Sequence, residues 1–232
     1  DLETYHPTSV INPGYEILFF WVARMILMSQ YLIGEIPFET VYLHGMLRDA
    51  KGQKFSKSLD NGVDPLKIIE EYGADALRMS MIVGIGPGAD AKFDIQKVKA
   101  YKNFANKIWN ITRYVLSTEK VGGLKKELAD EFDSLNKDIT LDMENLRFYL
   151  AAEKLYAYVW HRFADEIIEE SKGNAEYGTT LYYILENSLK LLHPFMPFVT
   201  EEIWSMMPEK NKNLLMVEKW PHFAKATRGK PQ

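Results

Sequence analysis

The sequence predicts an α/β unit, part of a nucleotide-binding fold, followed by an all-α helical bundle. Three observations carry this. The first ~90 residues alternate helical and strand-like apolar runs. A cluster of breakers, Gly84, Gly86, Pro87 and Gly88, then interrupts the chain. Beyond it, apolar residues recur at three- and four-residue steps almost to the end.

The elements follow in order. Asn12-Pro13-Gly14 is a turn. Ile17 to Met28 is apolar nearly all round, which predicts a buried helix ended by Gly34 and Pro37. Thr40-Val41-Tyr42-Leu43-His44 is short, β-branched and aromatic, and predicts a buried strand closed by Gly45. Asp64 and Pro65 suit the N-cap and first position of a helix that Gly73 closes. A short segment from Ala74 to Val83 carries Arg78. The domain boundary is placed near Phe93, giving an α/β part at 1–92, a helical part at 93–222 and a tail at 223–232.

In the helical part, Val98, Tyr101, Ala105, Ile108, Thr112 and Val115 predict one amphipathic helix. Leu135 to about Ser171 predicts a long helix or a pair, with Leu146, Leu150, Leu155, Val159 and Phe163 in the core. Thr179–His193 is stopped by Pro194, and Phe198–Met206 by Pro208. Lys225 to Gln232 reads as a disordered tail. The sequence has no internal repeat.

Composition narrows the classes. Hydrophobic residues make up 47% and charged residues 26% of 232, the balance of a soluble globular chain with enough apolar material for a sizeable core. The absence of cysteine excludes disulfides and thiolate metal sites and suits a reducing cytosol. No apolar run approaches ~20 residues, so no membrane span is expected. The first residues carry neither a secretory pattern nor an initiator Met, which fits a piece of a longer protein. A net charge of −4 argues against a general nucleic-acid binder. Lys92 to Lys126 nevertheless holds nine Lys or Arg against two acids, Asp94 and Glu119. Such a segment is either a local polyanion contact or a solvated face balanced by acids elsewhere in the fold.

The densest chemistry lies in Lys54-Phe55-Ser56-Lys57-Ser58, ringed by Gly45, Gly52, Gln53, Asn61 and Gly62. Two mobile cations and two hydroxyls in a flexible loop can hold a polyphosphate while it reacts. Taken alone, the same five residues also describe a basic surface loop.

Ordered motifs settle between these readings. Pro13-Gly14-Tyr15-Glu16-Ile17-Leu18-Phe19-Phe20-Trp21-Val22-Ala23-Arg24-Met25, then Val41-Tyr42-Leu43-His44-Gly45, then Lys51 to Ser58, resemble the class I aminoacyl-tRNA synthetases, in particular the valine branch. Asp64-Pro65, Tyr72 to Arg78 and Asn103 to Asn110 continue the match in order. So do Phe163-Ala164-Asp165 with Glu169 to Lys172, and His193 to Phe198. The resemblance runs to about Pro221. It departs at Phe55, where the family has Met, and at Glu16, where Asp is usual. The family's other ATP signature, His-x-Gly-His, and its editing domain are absent from this sequence.

The resemblance implies the second half of a Rossmann-like catalytic domain and a helical anticodon-binding domain. It implies ATP with Mg2+, valine and the valine tRNA as ligands, a cytoplasmic location, a monomer, and no membrane partner. Lys54 and Lys57 are the implied catalytic groups, meeting charge on the leaving pyrophosphate. Ser56 and Ser58 hold the loop or a phosphate oxygen, and Gly52 offers a hinge. Mg2+ arrives with the nucleotide, so no protein metal cage is implied. Gly14 and Glu16 match the ribose contact, although Glu16 equally suits capping of the helix after it. Gly45 would let adenine approach the backbone, beside His44, which is either a ligand contact or a satisfied strand-end histidine. Ile17 and Trp21, four apart, are implied walls of the amino-acid pocket or ordinary core. For tRNA the implied residues are Asn103, Lys107, Asn110, Arg113 and Tyr114, with Tyr114 to stack on a base and the cations to meet phosphates. Two rivals stay open: an isoleucyl- or leucyl-type fragment, and a tRNA-binding module with little or no catalysis of its own.

Overall fold

The structure, a computed structural model, describes residues 1–208 and 213–221. The expected tail, Lys225–Gln232, lies outside the described residues. The chain forms two compact units, Asp1–Val63 with Ile85–Asp94, and Asp64–Gly84 with Ile95–Gln232. It therefore crosses between them three times, where the sequence reading has a single crossing near Phe93.

The first unit opens with a one-turn helix, α1 (Leu2–Tyr5), and a strand, β1 (Thr8–Ile11). A continuous helical stretch follows: a 3-10 turn at Tyr15–Ile17, a π-helical turn at Leu18–Val22, and α2 (Ala23–Ile33). Gly34 ends it at φ 75°, a left-handed position that glycine takes without strain. β2 (Phe38–Val41) then returns parallel to β1, with Thr8 opposite Phe38 and Ile11 opposite Val41. Parallel neighbours need a crossover, and the helical stretch supplies it, so this is a βαβ unit. A second parallel pair joins β3 (Leu47–Arg48) to β4 (Ala91–Lys92), and the Lys54–Ser58 loop lies in the connection between them.

Three expectations for this unit change. The apolar helix is not buried: Phe19 is 77%, Trp21 53% and Tyr31 85% exposed, while Val22 is 2% exposed. Apolarity in the sequence marks a surface that needs cover, and of Tyr15–Ile33 only Val22 is buried. The strand expected at Thr40–His44 ends at Val41, and of β2 only Phe38 is buried. Finally, Tyr15–Ile33 is 19 residues long with a mean hydropathy of 1.4, long and apolar enough to cross a membrane. The expectation that no stretch reaches that size is corrected, because the three helical segments run on without a break.

The second unit is helical. α3 (Pro65–Tyr72) begins as expected, with the Asp64 carboxylate accepting the Leu66 N–H at 2.9 Å. α4 (Ala74–Ile82), α5 (Ile95–Ser117) and α6 (Lys126–Glu144) follow. α7 (Phe148–Ala157) continues through π-helical Tyr158–Ile167 into α8 (Ile168–Ser171). A 3-10 turn at Ala175–Tyr177 leads to α9 (Gly178–Leu192), then α10 (Pro197–Met206) and a last 3-10 turn at Leu215–Val217. The predicted α5 stripe is the core face: Val98, Tyr101, Ile108, Thr112 and Val115 are buried, joined by Phe104 and Ile111. Phe104, Phe132, Phe163, Phe195, Ile139 and Leu155 are among the largest fully buried side chains, each worth about 1.5–3 kcal/mol by transfer from water.

The Leu135–Ser171 stretch resolves as a pair of helices. Leu146 is not a core residue: it sits in the turn between them at φ 57°, half-buried. The turn is fixed by Asp142, whose nearly buried carboxylate takes Arg147 at 2.9 Å and Lys154 at 2.6 Å. The described C-terminal residues return to α6, where Trp220 Nε1 donates to Thr140 Oγ1 at 2.8 Å.

Candidate functional site

In the first unit, the turn before the apolar helix, the end of β2 and the Lys54–Ser58 loop meet. Gly14 and His44 form a parallel β-bridge. His44 N donates to Pro13 O at 3.1 Å, and Tyr15 N to His44 O at 3.2 Å. Glu16 follows in the first turn and is the counter-ion of Lys54: the ammonium lies 2.8 and 2.7 Å from its two carboxylate oxygens. Both side chains are substantially exposed, so the pair is worth no more than about 1 kcal/mol and yields easily to a competing anion. Thus Gly14, Glu16, His44 and Lys54, spread over 41 positions in sequence, converge at one edge of the unit.

Within the loop, Ser56 Oγ and Ser58 Oγ share a hydrogen bond of 2.6 Å, and Ser58 N donates to Ser56 Oγ at 3.2 Å. Lys57 opens a 3-10 turn, Lys57–Leu59. Gly52 takes φ 81° and closes the turn that precedes the loop, donating to Asp49 O at 2.9 Å. A wall behind the loop comes from residues the sequence did not single out. Asp90 accepts Met46 N at 2.8 Å, Arg48 Nε at 2.5 Å and the Tyr15 hydroxyl at 3.3 Å. The Met46 N–H and the Arg48 guanidinium hold its carboxyl below the usual carboxylate range.

Gly45 and His44 each have a close neighbour within the protein. A Cβ on Gly45 would fall 1.8 Å from Ala89 O, so glycine is required by the close passage of the Ala89 backbone, and that side is closed to a ligand. His44 Nδ1 donates to Gly45 O at 2.9 Å, which leaves Nε2 of the neutral ring as an acceptor. Ile17 and Trp21 are both largely open to solvent. They are 44% and 53% exposed, on either side of the change from a 3-10 to a π-helical turn, where α-helical four-residue spacing no longer aligns side chains. An open concavity of about 360 Å³ lies on this helix, lined by Tyr15, Glu16, Leu18, Phe19, Val22 and Ile26 among others.

In the second unit, the basic segment divides into spent and free groups. Lys97 donates to Val83 O at 2.6 Å and Lys102 to Glu71 O at 2.7 Å, satisfying carbonyls at the ends of α4 and α3. Lys107 pairs with Asp165 at 2.6 Å, and its ammonium lies 4.3 Å from the Trp160 ring centre. The other side of this cluster is aromatic, with Tyr156 stacked on Trp160 at 5.6 Å. Lys107 is therefore held inside the unit by groups 53 and 58 positions away. The Tyr114 hydroxyl donates to Ser171 Oγ at 3.0 Å, since that oxygen gives its own proton to Ile168 O. Asn103, Asn110 and Arg113 are exposed, with Asn106 among them on the same solvent side of α5. The geometry thus presents a strip of amides and one guanidinium, flanked by a tethered tyrosine.

A family model described as tRNA synthetases class I (I, L, M and V) matches residues 1–94. A second, the anticodon-binding domain of tRNA ligase, matches residues 125–230. The chain belongs to the class I tRNA synthetases. Helix α5 lies between the two matched spans. Among similar synthetases, the valine–tRNA ligase of Clostridium tetani is 44% identical over 96% of this chain. Those of Clostridium perfringens and Thermotoga maritima are each 40% identical, over 97% and 96%. The chain spans about 28% of the length of these relatives. A solved LeuRS of Agrobacterium radiobacter K84, in a ternary complex with tRNA and LeuAMS, shares the fold with a TM-score of 0.75 at 23% identity. That likeness covers 93% of this chain and 28% of the solved one.

Proposed function

We propose that this chain is the part of a valine–tRNA ligase that carries the second ATP signature and the tRNA-reading helices. The observation that supports this most is the Lys54–Glu16 pair. A phosphate-type cation and a ribose-type carboxylate, 38 positions apart in sequence, are within 2.8 Å of each other.

In the reaction, the valine carboxylate attacks the α-phosphate of ATP and pyrophosphate leaves. Glu16 accepts ribose hydroxyls beside Gly14, and His44 Nε2 is free to accept another ligand proton. Released from Glu16, Lys54 turns to the phosphates, where Lys57 also acts. Their cations meet charge that grows on the leaving group, so they stabilise the transition state more than bound ATP. The loop's donors are cationic and hydroxylic, a set that suits phosphate oxygens rather than a metal ion. Mg2+ would therefore arrive with the nucleotide, where it would neutralise phosphate charge. Leu18, Phe19 and Val22 outline where an apolar substrate side chain would sit, beside the expected Ile17 and Trp21.

On α5, Asn103, Asn110 and Arg113 supply amides and a guanidinium to splayed bases and phosphates, and Tyr114 offers a ring face. Lys107 acts indirectly by holding Trp160 and Asp165. The exposed apolar side of Tyr15–Ile33 reads as a face for the remainder of the nucleotide fold, which fits the share of the relatives that the chain spans. Alone, the chain is expected to aminoacylate weakly or not at all. A cytosolic location and a monomeric assembly belong to the same proposal. The test is titration of ATP–Mg2+ into this chain and into its Lys54→Ala and Lys57→Ala variants. Saturable binding that weakens in both variants supports the reading, and equal binding in all three contradicts it.

A further inference from the structure

The Lys54–Ser58 loop is fastened by a group that carries none of its charge. Asn61 lies three residues past Ser58 and uses both ends of its amide. Its Nδ2 donates to Asp49 Oδ2 at 2.9 Å and to the Lys54 carbonyl at 3.2 Å. Its Oδ1 accepts the Ser56 N–H at 2.9 Å. Asp49 in turn accepts Lys51 N at 2.9 Å and Gln53 N at 2.8 Å on its other oxygen. One amide–carboxylate pair therefore fixes the main chain on both sides of Phe55 and ties it to the turn that Gly52 closes.

Only a carboxamide can serve here. It must give protons to a carboxylate and a carbonyl while accepting one from an N–H. Asp60, just before it, sits at φ 46°, a left-handed conformation that is unfavourable for a residue other than glycine. That turn brings the Asn61 side chain back over the loop, and the three hydrogen bonds offset the strain. The Asp49 carboxyl is held below the usual range, first by Asn61 and then by the Gln53 N–H, as expected for a carboxylate committed to donors.

We propose that Asn61, acting through Asp49, is the positioning residue of the nucleotide-handling loop, setting the Lys54–Ser56 backbone so that Lys54 and Ser56 face the phosphates. The proposal rests on the reading of this loop as an ATP site.

The test compares Asn61→Asp, Asp49→Asn and the exchanged double variant carrying both. Asn61→Asp sets two carboxylates against each other and removes both donors. The exchange rebuilds the 49–61 hydrogen bond in reverse: position 49 keeps an oxygen for Lys51 N and Gln53 N and gains a donor, position 61 keeps an acceptor for Ser56 N, and only the Lys54 carbonyl is left without its donor. Two readouts are taken: amide hydrogen exchange across residues 54–58 without ligand, and the Kd for ATP–Mg2+. Asn61→Asp should speed Ser56 exchange and weaken ATP binding, each about tenfold. The double variant should recover part of both, short of the parent because the Lys54 carbonyl stays without its donor, while α5 and α9 amides stay unchanged throughout. Faster loop exchange with an unaltered Kd, or a double variant no better than Asn61→Asp, overturns the positioning role. A parent chain that binds no ATP overturns the nucleotide reading and this proposal together, whereas an indifferent variant overturns this proposal alone.

Discussion

Asp75 caps a helix to which it does not belong, and replacing it by alanine should unfasten that helix. α10 starts with Pro197, and the residue before it, Met196, offers no side-chain cap. The Asp75 carboxylate, from α4, fills the gap by accepting Phe198 N at 3.2 Å and Val199 N at 2.6 Å. It is only 6% exposed. Nearby, Arg78 adds hydrogen bonds to Phe195 O at 3.2 Å and Pro194 O at 2.9 Å. Loss of a cap costs about 1 kcal/mol, and buried N–H groups left without partners add about 1–3 kcal/mol. A total on the order of 3 kcal/mol lowers Tm by roughly 10 °C in a unit of this size. Thermal unfolding followed by circular dichroism at neutral pH measures it. Asp75→Asn, which keeps an acceptor oxygen, should lose less than half as much. Burial raises the Asp75 carboxyl above its usual value, against the pull of the Val199 and Phe198 N–H groups. Because the folded value is the higher one, the protonation-linked part of its contribution is fully present below the unfolded pKa, about 3.9, and is lost as pH rises through the folded value, so the cap measured at neutral pH is net of the cost of ionising a buried carboxyl. Asp75→Asn should flatten that part of the stability profile. An Asp75→Ala variant that melts within about 1 °C of the parent would refute the capping argument.

Three further outcomes follow from the geometry. Gly45→Ala drives a Cβ into Ala89 O, so limited proteolysis should cut within residues 1–63 while α5 to α9 stay resistant. Lys107→Met frees Asp165, whose carboxyl is held low chiefly by the Lys107 hydrogen bond. With a depressed folded value, Asp165 contributes stability above its unfolded pKa that is lost as pH falls through the folded one, so the variant should show a shallower acid limb and altered Trp160 fluorescence. Arg113→Ala should weaken tRNA binding evenly across sequences and reduce the salt slope by about one unit, read from binding isotherms at several salt concentrations.

The helical unit was largely legible because its signals are local. Asp64 and Pro65 open α3 as their chemistry demands, and the Val98–Val115 stripe is the buried face of α5. Helices α9 and α10 each start one residue before the expected position, within the fraying of any helix end. What escaped depends on partners far away in sequence. β1, β3 and β4 are only two to four residues long and exist through parallel pairing across long connections, which no short window reveals. The exposure of Phe19 and Tyr31 could not be read from apolarity, which says that a face wants cover and not whether cover is present. Leu146 fitted an apolar period, but the period ends where Arg147 and Lys154 gather on Asp142. At the site, glycine, lysine and serine were marked by motif, whereas the fastening by Asn61 and Asp49 and the Asp90 anchor needed coordinates. Lys107 looked free because Asp165 and Trp160 lie more than fifty positions away.

The central claim is that α5 presents a strip that reads the valine tRNA. The most direct test is equilibrium binding of valine tRNA and of a non-cognate tRNA to this chain across a salt series. The account predicts a cognate preference that persists at moderate salt and falls on changing Asn103, Asn110 or Tyr114, with Arg113 setting affinity for any tRNA and Lys107 acting only through fold stability. Equal affinities that collapse steeply with salt, or no binding at all, would contradict it.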